Sequence, residues 1–579
     1  MPRKKVKEVA TTSRPSEGRA KGTARTAAEP QQAEAGSPSW RAQARAMLWP
    51  ESQSGVYVLL GILALALALR AFKLTTLLPI LVDESIYLRW AEIIHHQGQW
   101  FISLLDGKQP LTYWLLGIQR MIWDGDPLAG ARMLSVLAGL GSTLGVYATG
   151  RLLSGERAGL VSAFLYACFP LSILYDRLAY TEGFSNFFGI AIVYSSLWCF
   201  CEPGKTWKRE LVPGAALALA MLTKQTLLLF AFIPALAALW QARQHGRNLI
   251  IRLATIYVCG GAAVVFCLLT IPEAPTLASH DALLHHKEFF ASPQEMIKDP
   301  FGAAAGNVVK LGGYITTYVR WPAALAAMAS LAYLTWQRSI GAWVLVSASV
   351  LPWIAQVFLL KLMYPTRYPY PHFWPWFVVI GLAAADLWVH SERWLPSESR
   401  RKMVAALAAV IVAGPMLYQG CGMLTAPRAF LHERDIFYFM RSIGHVGWGV
   451  RDAIDFLEQE AKRGGGFVLL TDPVWGTPSD AMAPFLNGKH GIRVYEAWWT
   501  QLSSNSPIMP AGRAELIRSH YERTKMGDID FSRERRVYYV TDTAYYPPEA
   551  VQIRQPGATP LRRFPKPEDG QSIDVYRFK

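Results

Sequence analysis

Four short clusters hold most of the residues in this chain that are equipped for chemistry. The first is the acidic pair Asp83-Glu84, with Glu92 further along. A carboxylate at a helix start can cap the helix, hold a metal or accept a proton. The second runs Asp106-Gly107-Lys108-Gln109-Pro110. A lysine in a Gly/Pro turn can meet a phosphate or simply snorkel to water. The third holds Asp176, Arg177 and Glu182, three charges between two apolar runs. They read either as a pair closing a helical hairpin or as a polar site. The fourth spans 361-371 and offers Lys361 and Arg367 among Tyr364, Tyr368 and Tyr370. It reads as an aromatic interfacial belt or as a binding surface for an anion.

The elements that must position these groups are mostly membrane spans. The chain has 579 residues, 52% hydrophobic and only 17% charged. A soluble domain carries roughly 25% charged residues, and a bilayer-spanning helix needs about 20 mostly apolar ones. The apolar pattern predicts eleven spans, near 56-72, 128-150, 158-175, 183-201, 211-223, 226-241, 252-272, 321-337, 341-360, 373-390 and 403-422. The fifth and sixth are short and joined only by Thr223-Lys224-Gln225-Thr226, so they read equally as one broken element. Residues 1-50 are polar and basic and read as a disordered cytoplasmic tail. Residues 51-426 form the membrane domain, with long loops at 73-127 and 273-320. Residues 427-579 read as a small α/β domain, with strand-like runs at 467-470, 537-540 and 573-576 and helical patterns at 447-463 and 510-524.

The net charge of +15 does not call for nucleic acid. It collects in the tail and in short loops around Arg151, Lys205, Arg243, Arg338 and Arg400. These are the alternate connections that the positive-inside rule places in the cytoplasm. All four clusters then fall on the opposite, extracytoplasmic face of the plasma membrane, with the C-terminal domain. The six cysteines lie in or beside apolar runs without metal-ligand or disulfide spacing and read as buried small hydrophobes.

In order and spacing the four clusters resemble the GT-C membrane glycosyltransferases, above all the protein O-mannosyltransferases and the lipid A aminoarabinose transferases. The matching residues are Asp83-Glu84, Lys108-Gln109-Pro110-Leu111, Arg177 with Glu182, and Lys361, Arg367-Tyr368 and Pro371. Ala131-Arg132-Met133-Leu134-Ser135 also looks like the family. The sequence departs from it at Gly107, where the aminoarabinose transferases have Glu, and at Glu182, where the mannosyltransferases usually have Asp. The resemblance covers roughly residues 56-390. The C-terminal domain resembles nothing nameable.

The resemblance implies a polyprenyl-phosphate-linked sugar as donor and a hydroxyl of a protein, lipid or envelope glycan as acceptor. It makes Asp83 the general base and Glu84 its supporting acid. Lys108, Arg177, Lys224, Arg320, Lys361, Arg367 and Tyr368 become the groups that hold the donor phosphate. Asp106, Asp176 and Glu182 form a second acidic cluster. No cofactor is expected, because lysine and arginine can neutralise a leaving phosphate. The alternative is a divalent metal, for which His280 and His285 could lie on one helical face, though a solvated face suits them as well. Rival readings are a flippase or transporter of lipid-linked sugars, an oligosaccharide transferase or ligase, and a scaffold. Span interiors nearly free of acids, and the lack of a visible internal repeat, weigh against transport.

Overall fold

The computed structural model describes residues 49–106, 108–201, 209–240, 248–269, 291–299, 301–361, 366–441, 446–471, 476–496, 534–567 and 570–579. The N-terminal tail, His280, His285 and the helical pattern at 510-524 lie outside them.

The first apolar run forms helix α1, Gln53–Ala71, capped by the Ser52 hydroxyl. A short strand β1, Ile80–Leu81, leads into α2, Val82–Gln97, then α3, Leu111–Ile122. Helix α4 runs Pro127–Ala167 for 41 residues. At 1.5 Å per residue that is about 60 Å, twice the hydrocarbon core. It is broken at Ser154 and at Gly155, which takes φ +81°, where the sequence predicts a turn between two spans. Pro170–Tyr175 (α5) and Thr181–Cys201 (α6) follow.

Next come α7, Leu211–Thr223, and α8, Ile233–Trp240. Lys224 between them is extended, at φ −160° and ψ 133°, and a 3-10 turn, Gln225–Phe230, follows it. The short fifth and sixth runs are thus one broken element. The membrane part continues with α9, Asn248–Leu269, α10, Gly302–Tyr314, α11, Trp321–Trp336, α12, Ile340–Leu359, α13, Trp374–His390, and α14, Glu398–Thr425. Among the described residues seven helical segments are long and apolar enough to cross a bilayer singly. The bundle is centred on α4, which packs against α1, α6 and α13. Leucines and valines on the outer faces, such as Leu137, Val258 and Leu407, stay exposed, as lipid contact requires.

The last part of the chain opens with β2, Val446–Gly447, and α15, Val450–Gly464. Strands β3, Val468–Thr471, and β4, Arg493–Glu496, flank helix α16, Ser479–Leu486. Strands β5, Val537–Asp542, β6, Pro560–Pro565, and β7, Ser572–Arg577, complete one sheet of order β4-β3-β5-β7-β6. Its first three strands are parallel and the others antiparallel. Val450, Ala453, Ile454, Leu457 and Ala461 of α15 are buried. That spacing is one face of a helix, and it closes the core over the sheet.

This α/β unit is seated directly on the helix that carries the acidic pair. Strand β1 pairs antiparallel with β2, Ile80 opposite Gly447 and Leu81 opposite Val446. Helix α16 packs against α2. At Gly476 the backbone takes φ +90°, and a Cβ there would stand 2.1 Å from the Val82 side chain. Only glycine allows that approach.

Candidate active site

Asp83 and Glu84 are neighbours on the first turn of α2, so their side chains diverge by about 100°. That angle gives them different work. Glu84 turns into the core. Its carboxylate takes two bonds from Arg132, at 2.8 and 2.6 Å. It also accepts the backbone N–H of Leu81 at 3.1 Å and of Ala179 at 2.9 Å. Both partners are fully buried. Arg132 also donates to the carbonyls of Leu74, Leu78 and Pro79. Glu84 therefore ties the start of α2 to α4, and it is not placed to meet a substrate. Removing one partner of a buried pair strands the other. Glu84→Gln is expected to cost about 3–5 kcal/mol, read as a lower melting temperature in detergent, with transfer per folded molecule kept. Unchanged melting would remove this structural role.

Asp83 turns the other way, into a chain of alternating charges. Its Oδ2 accepts from Arg367 Nη1 at 2.7 Å, and Lys108 Nζ stands 3.5 Å from Oδ1. Arg367 Nε donates to Glu182 Oε1 at 2.8 Å. The same oxygen accepts from Lys224 Nζ at 2.6 Å. The order is Lys108, Asp83, Arg367, Glu182, Lys224. Three cations face two carboxylates, so the row carries one net positive charge.

Each member arrives by a local device. Lys224 owes its reach to the break between α7 and the 3-10 turn, where its extended backbone leaves the helical path. Glu182 sits in the first turn of α6, at the positive end of the helix dipole. Lys108 follows the 3-10 helix Ile102–Asp106 and lies 4.9 Å above the Tyr87 ring and 5.4 Å from that of Trp90. The Tyr180 and Tyr368 rings stand 5.5 and 5.7 Å from the Arg367 guanidinium, and Lys224 lies 5.5 Å from Tyr368. Aromatic walls hold cations by their ring quadrupoles and keep the local dielectric low. Asp83, Lys108, Lys224 and Arg367 all remain partly open to solvent, while Glu182 is fully buried.

Two residues of this site carry no signal in the sequence. Tyr438 lies in the turn Phe437–Arg441 after the last span. Its hydroxyl is 3.0 Å from Arg367 Nη1 and 3.4 Å from Asp83 Oδ2. Burial holds its phenol above the usual range, so it serves as a neutral hydrogen-bonding group. Asp435, one helical turn earlier, is fully buried. It accepts from Thr366 Oγ1 at 2.8 Å and Tyr318 Oη at 2.5 Å, which fixes the residue next to Arg367. With only neutral donors around it, burial pushes its carboxyl up to about 6. Nothing in the pattern of 433-441 separates these two from ordinary interfacial residues.

The structure leaves the remaining expected residues outside the row. Asp176 bonds Arg70 at 3.0 Å and Tyr166 at 3.2 Å, with Tyr370 on its other oxygen; Arg70 and Asp176 are both fully buried. This knot joins α1, α4 and the segment before α13, so Asp176 pairs with an arginine of the first span and not, as a hairpin-closing pair would, within its own turn. Arg177 donates to the carbonyls of Phe72 and, at 2.9 Å, Lys73. These lie just past α1, where a helix end leaves carbonyls without partners. Lys361 pairs with Glu295 at 3.0 Å on the surface. Arg320 precedes α11 and lines a separate groove. Asp106 ends its 3-10 helix, and its side chain lies outside the described residues. Of the expected set, the row unites Asp83, Lys108, Lys224, Arg367 and Glu182, with Tyr368 beside them.

As chemistry, the row offers a carboxylate open to solvent, flanked by cations that can meet an anion. Among the described residues no group of His, Cys, Asp and Glu is clustered so as to hold a metal ion. The two carboxylates of the row are instead bridged by a guanidinium.

Residues 107–271 match the family described as dolichyl-phosphate-mannose-protein mannosyltransferase. No curated protein matches the chain. The fold is similar to that of ArnT from Cupriavidus metallidurans in the apo state, with a TM-score of 0.52 at 14% identity over 91% of this chain and 98% of that one. The same protein bound to undecaprenyl phosphate gives 0.51 at 13% identity over the same shares. The archaeal oligosaccharyltransferase AglB from Archaeoglobus fulgidus, in complex with an inhibitory peptide and a dolichol-phosphate, gives 0.50 at 13% identity over 85% of this chain and 70% of that one. The helical bundle with its C-terminal sheet is thus the fold shared with these solved membrane glycosyltransferases, and residues 107–271 carry the match to the mannosyltransferase family.

Proposed function

We propose that the chain is an inverting glycosyltransferase. It moves a sugar from a polyprenyl-phosphate donor to a hydroxyl acceptor at the extracytoplasmic face of the plasma membrane. The observation that carries this reading is the row Lys108, Asp83, Arg367, Glu182, Lys224, with its single excess positive charge. A sugar-phosphate diester carries one negative charge, so it balances the row. The family match at 107–271 and the lipid phosphates bound by ArnT and AglB support a lipid-linked donor.

Asp83 accepts the proton of the acceptor hydroxyl as its oxygen attacks the anomeric carbon. The electron pair of the carbon–oxygen bond leaves with the phosphate, whose charge grows from one to two. Protonation of Asp83 weakens its hold on Arg367 and Lys108 at the same moment. Both cations are then free to meet the growing charge, so the acid and the phosphate exchange partners in one step. Attack opposite the leaving group inverts the anomeric centre. No metal is needed in this account, since arginine and lysine supply the charge. Glu182 is a positioning residue, holding Arg367 and Lys224 at their spacing.

The test is release of polyprenyl phosphate by the purified chain from radiolabelled polyprenyl-phosphate sugars in the presence of a membrane extract. Transfer is expected from the monophosphate-linked donor and not from a nucleotide sugar. Use of the nucleotide sugar, or no transfer from any lipid-linked sugar, would overturn the reading.

A further inference from the structure

We infer that the chain holds a binding site for one zwitterionic membrane phospholipid, its headgroup an ammonium joined to a phosphodiester, in a groove apart from the charge row. The groove lies between the start of α11 and the end of α14, has a volume of about 770 Å³, and is lined by Thr316, Thr317, Arg320, Gln419, His432 and Glu433, among others.

Three observations converge on it. The first is backbone strain. Arg320 takes φ +67° and ψ 148°, a region that side chains other than glycine rarely adopt, and it follows a π-helical turn, Ile315–Val319. Strained residues and π-turns concentrate at functional sites. The second is charge. Arg320 and Glu433 line the same groove, and neither forms an ion pair among the described residues. A guanidinium matches a phosphodiester by two parallel bonds, and a carboxylate matches an ammonium. One cation and one anion together fit a zwitterion and disfavour a purely anionic headgroup. The third is position. Trp321 at the mouth is 59% exposed and Tyr418 nearby is 65% exposed. Exposed aromatic residues at the ends of two spans mark the bilayer interface. A ligand entering there comes from the bilayer.

The site is joined to the charge row by short bonds. The His432 backbone N–H donates to Tyr318 Oη at 2.9 Å, and Tyr318 and Thr366 both donate to Asp435. A headgroup held by Arg320 and Glu433 steadies the segment that brings Asp435 and Tyr438 to Arg367. The binding itself does not depend on the proposed reaction.

The test is native mass spectrometry of the purified, delipidated full chain with added phosphatidylethanolamine, phosphatidylglycerol or free phosphoethanolamine. Wild type is expected to retain one phosphatidylethanolamine in preference to phosphatidylglycerol. Arg320→Gly suits the positive φ and removes the side chain with its guanidinium while relieving the backbone strain, and folding is checked by the melting temperature. It is expected to weaken that retention about tenfold. Glu433→Gln is expected to erase the preference over phosphatidylglycerol. Equal retention by both variants, a wild-type preference for phosphatidylglycerol, or equal binding of free phosphoethanolamine would each overturn the lipid site.

Discussion

Asp83→Asn is expected to lower the turnover of lipid-linked sugar by about 10²–10⁴-fold, the usual worth of a general base. The amide keeps the size of the carboxylate and can still accept a bond from Arg367. It cannot take the acceptor's proton. Fold should survive, because Asp83 lies in the partly open row while the buried load of the first turn is carried by Glu84 and Arg132. The substitution also raises the net charge of the row by one. Donor binding should therefore hold or tighten while the chemical step fails, so KM for the donor stays level or falls as kcat collapses. That split separates a lost base from a lost binding site. A rate within threefold of wild type would remove Asp83 from the reaction.

Arg367→Lys should be nearly as damaging, through charge rather than proton transfer. Arg367 reaches Asp83 at 2.7 Å, Glu182 at 2.8 Å and Tyr438 at 3.0 Å. Only a planar fork of donors makes those three contacts at once. Lysine keeps the charge and loses the bridge. Removing one preorganised donor from a developing oxyanion typically costs about 10²–10³ in kcat. The expected pattern is a fall in both kcat and kcat/KM, since the interaction strengthens as the phosphate gains charge. Single-turnover kinetics with a radiolabelled donor would show it. A variant that raises KM while leaving kcat intact would make Arg367 a ground-state anchor and move the leaving-group role to Lys108 and Lys224.

Much of the architecture is legible in the order of the residues. Apolar runs of about 20 residues can only be satisfied as helices inside a bilayer. The small helices and strands of the C-terminal part follow from their hydrophobic periods, as at Val450 to Ala461. The broken element around Lys224 is visible too, because two apolar runs there are each too short. The candidate site is legible in kind: acids after the first span and cations in later loops.

The assignment within neighbouring pairs is not. Asp83 and Glu84 differ by one position, and so do Asp176 and Arg177. A helical step of about 100° sends one acid to the open row and the other into a buried pair. Which is which depends on Arg132 and Ala179, far along the chain, and no local pattern contains them. The carbonyls that claim Arg177 belong to the end of α1. Lys361 is lost to the row because Glu295 stands beside it on the surface. Tyr438 joins because the segment after the last span folds back over α2.

From the sequence alone come the membrane spans, the C-terminal sheet and the short list of groups able to do chemistry, because burial of apolar surface and helical period are local properties. Tertiary structure decided which of those groups meet. Charge pairing is a matter of distance and burial, and Asp83 and Arg367, 284 residues apart in sequence, share a bond only once the spans have packed.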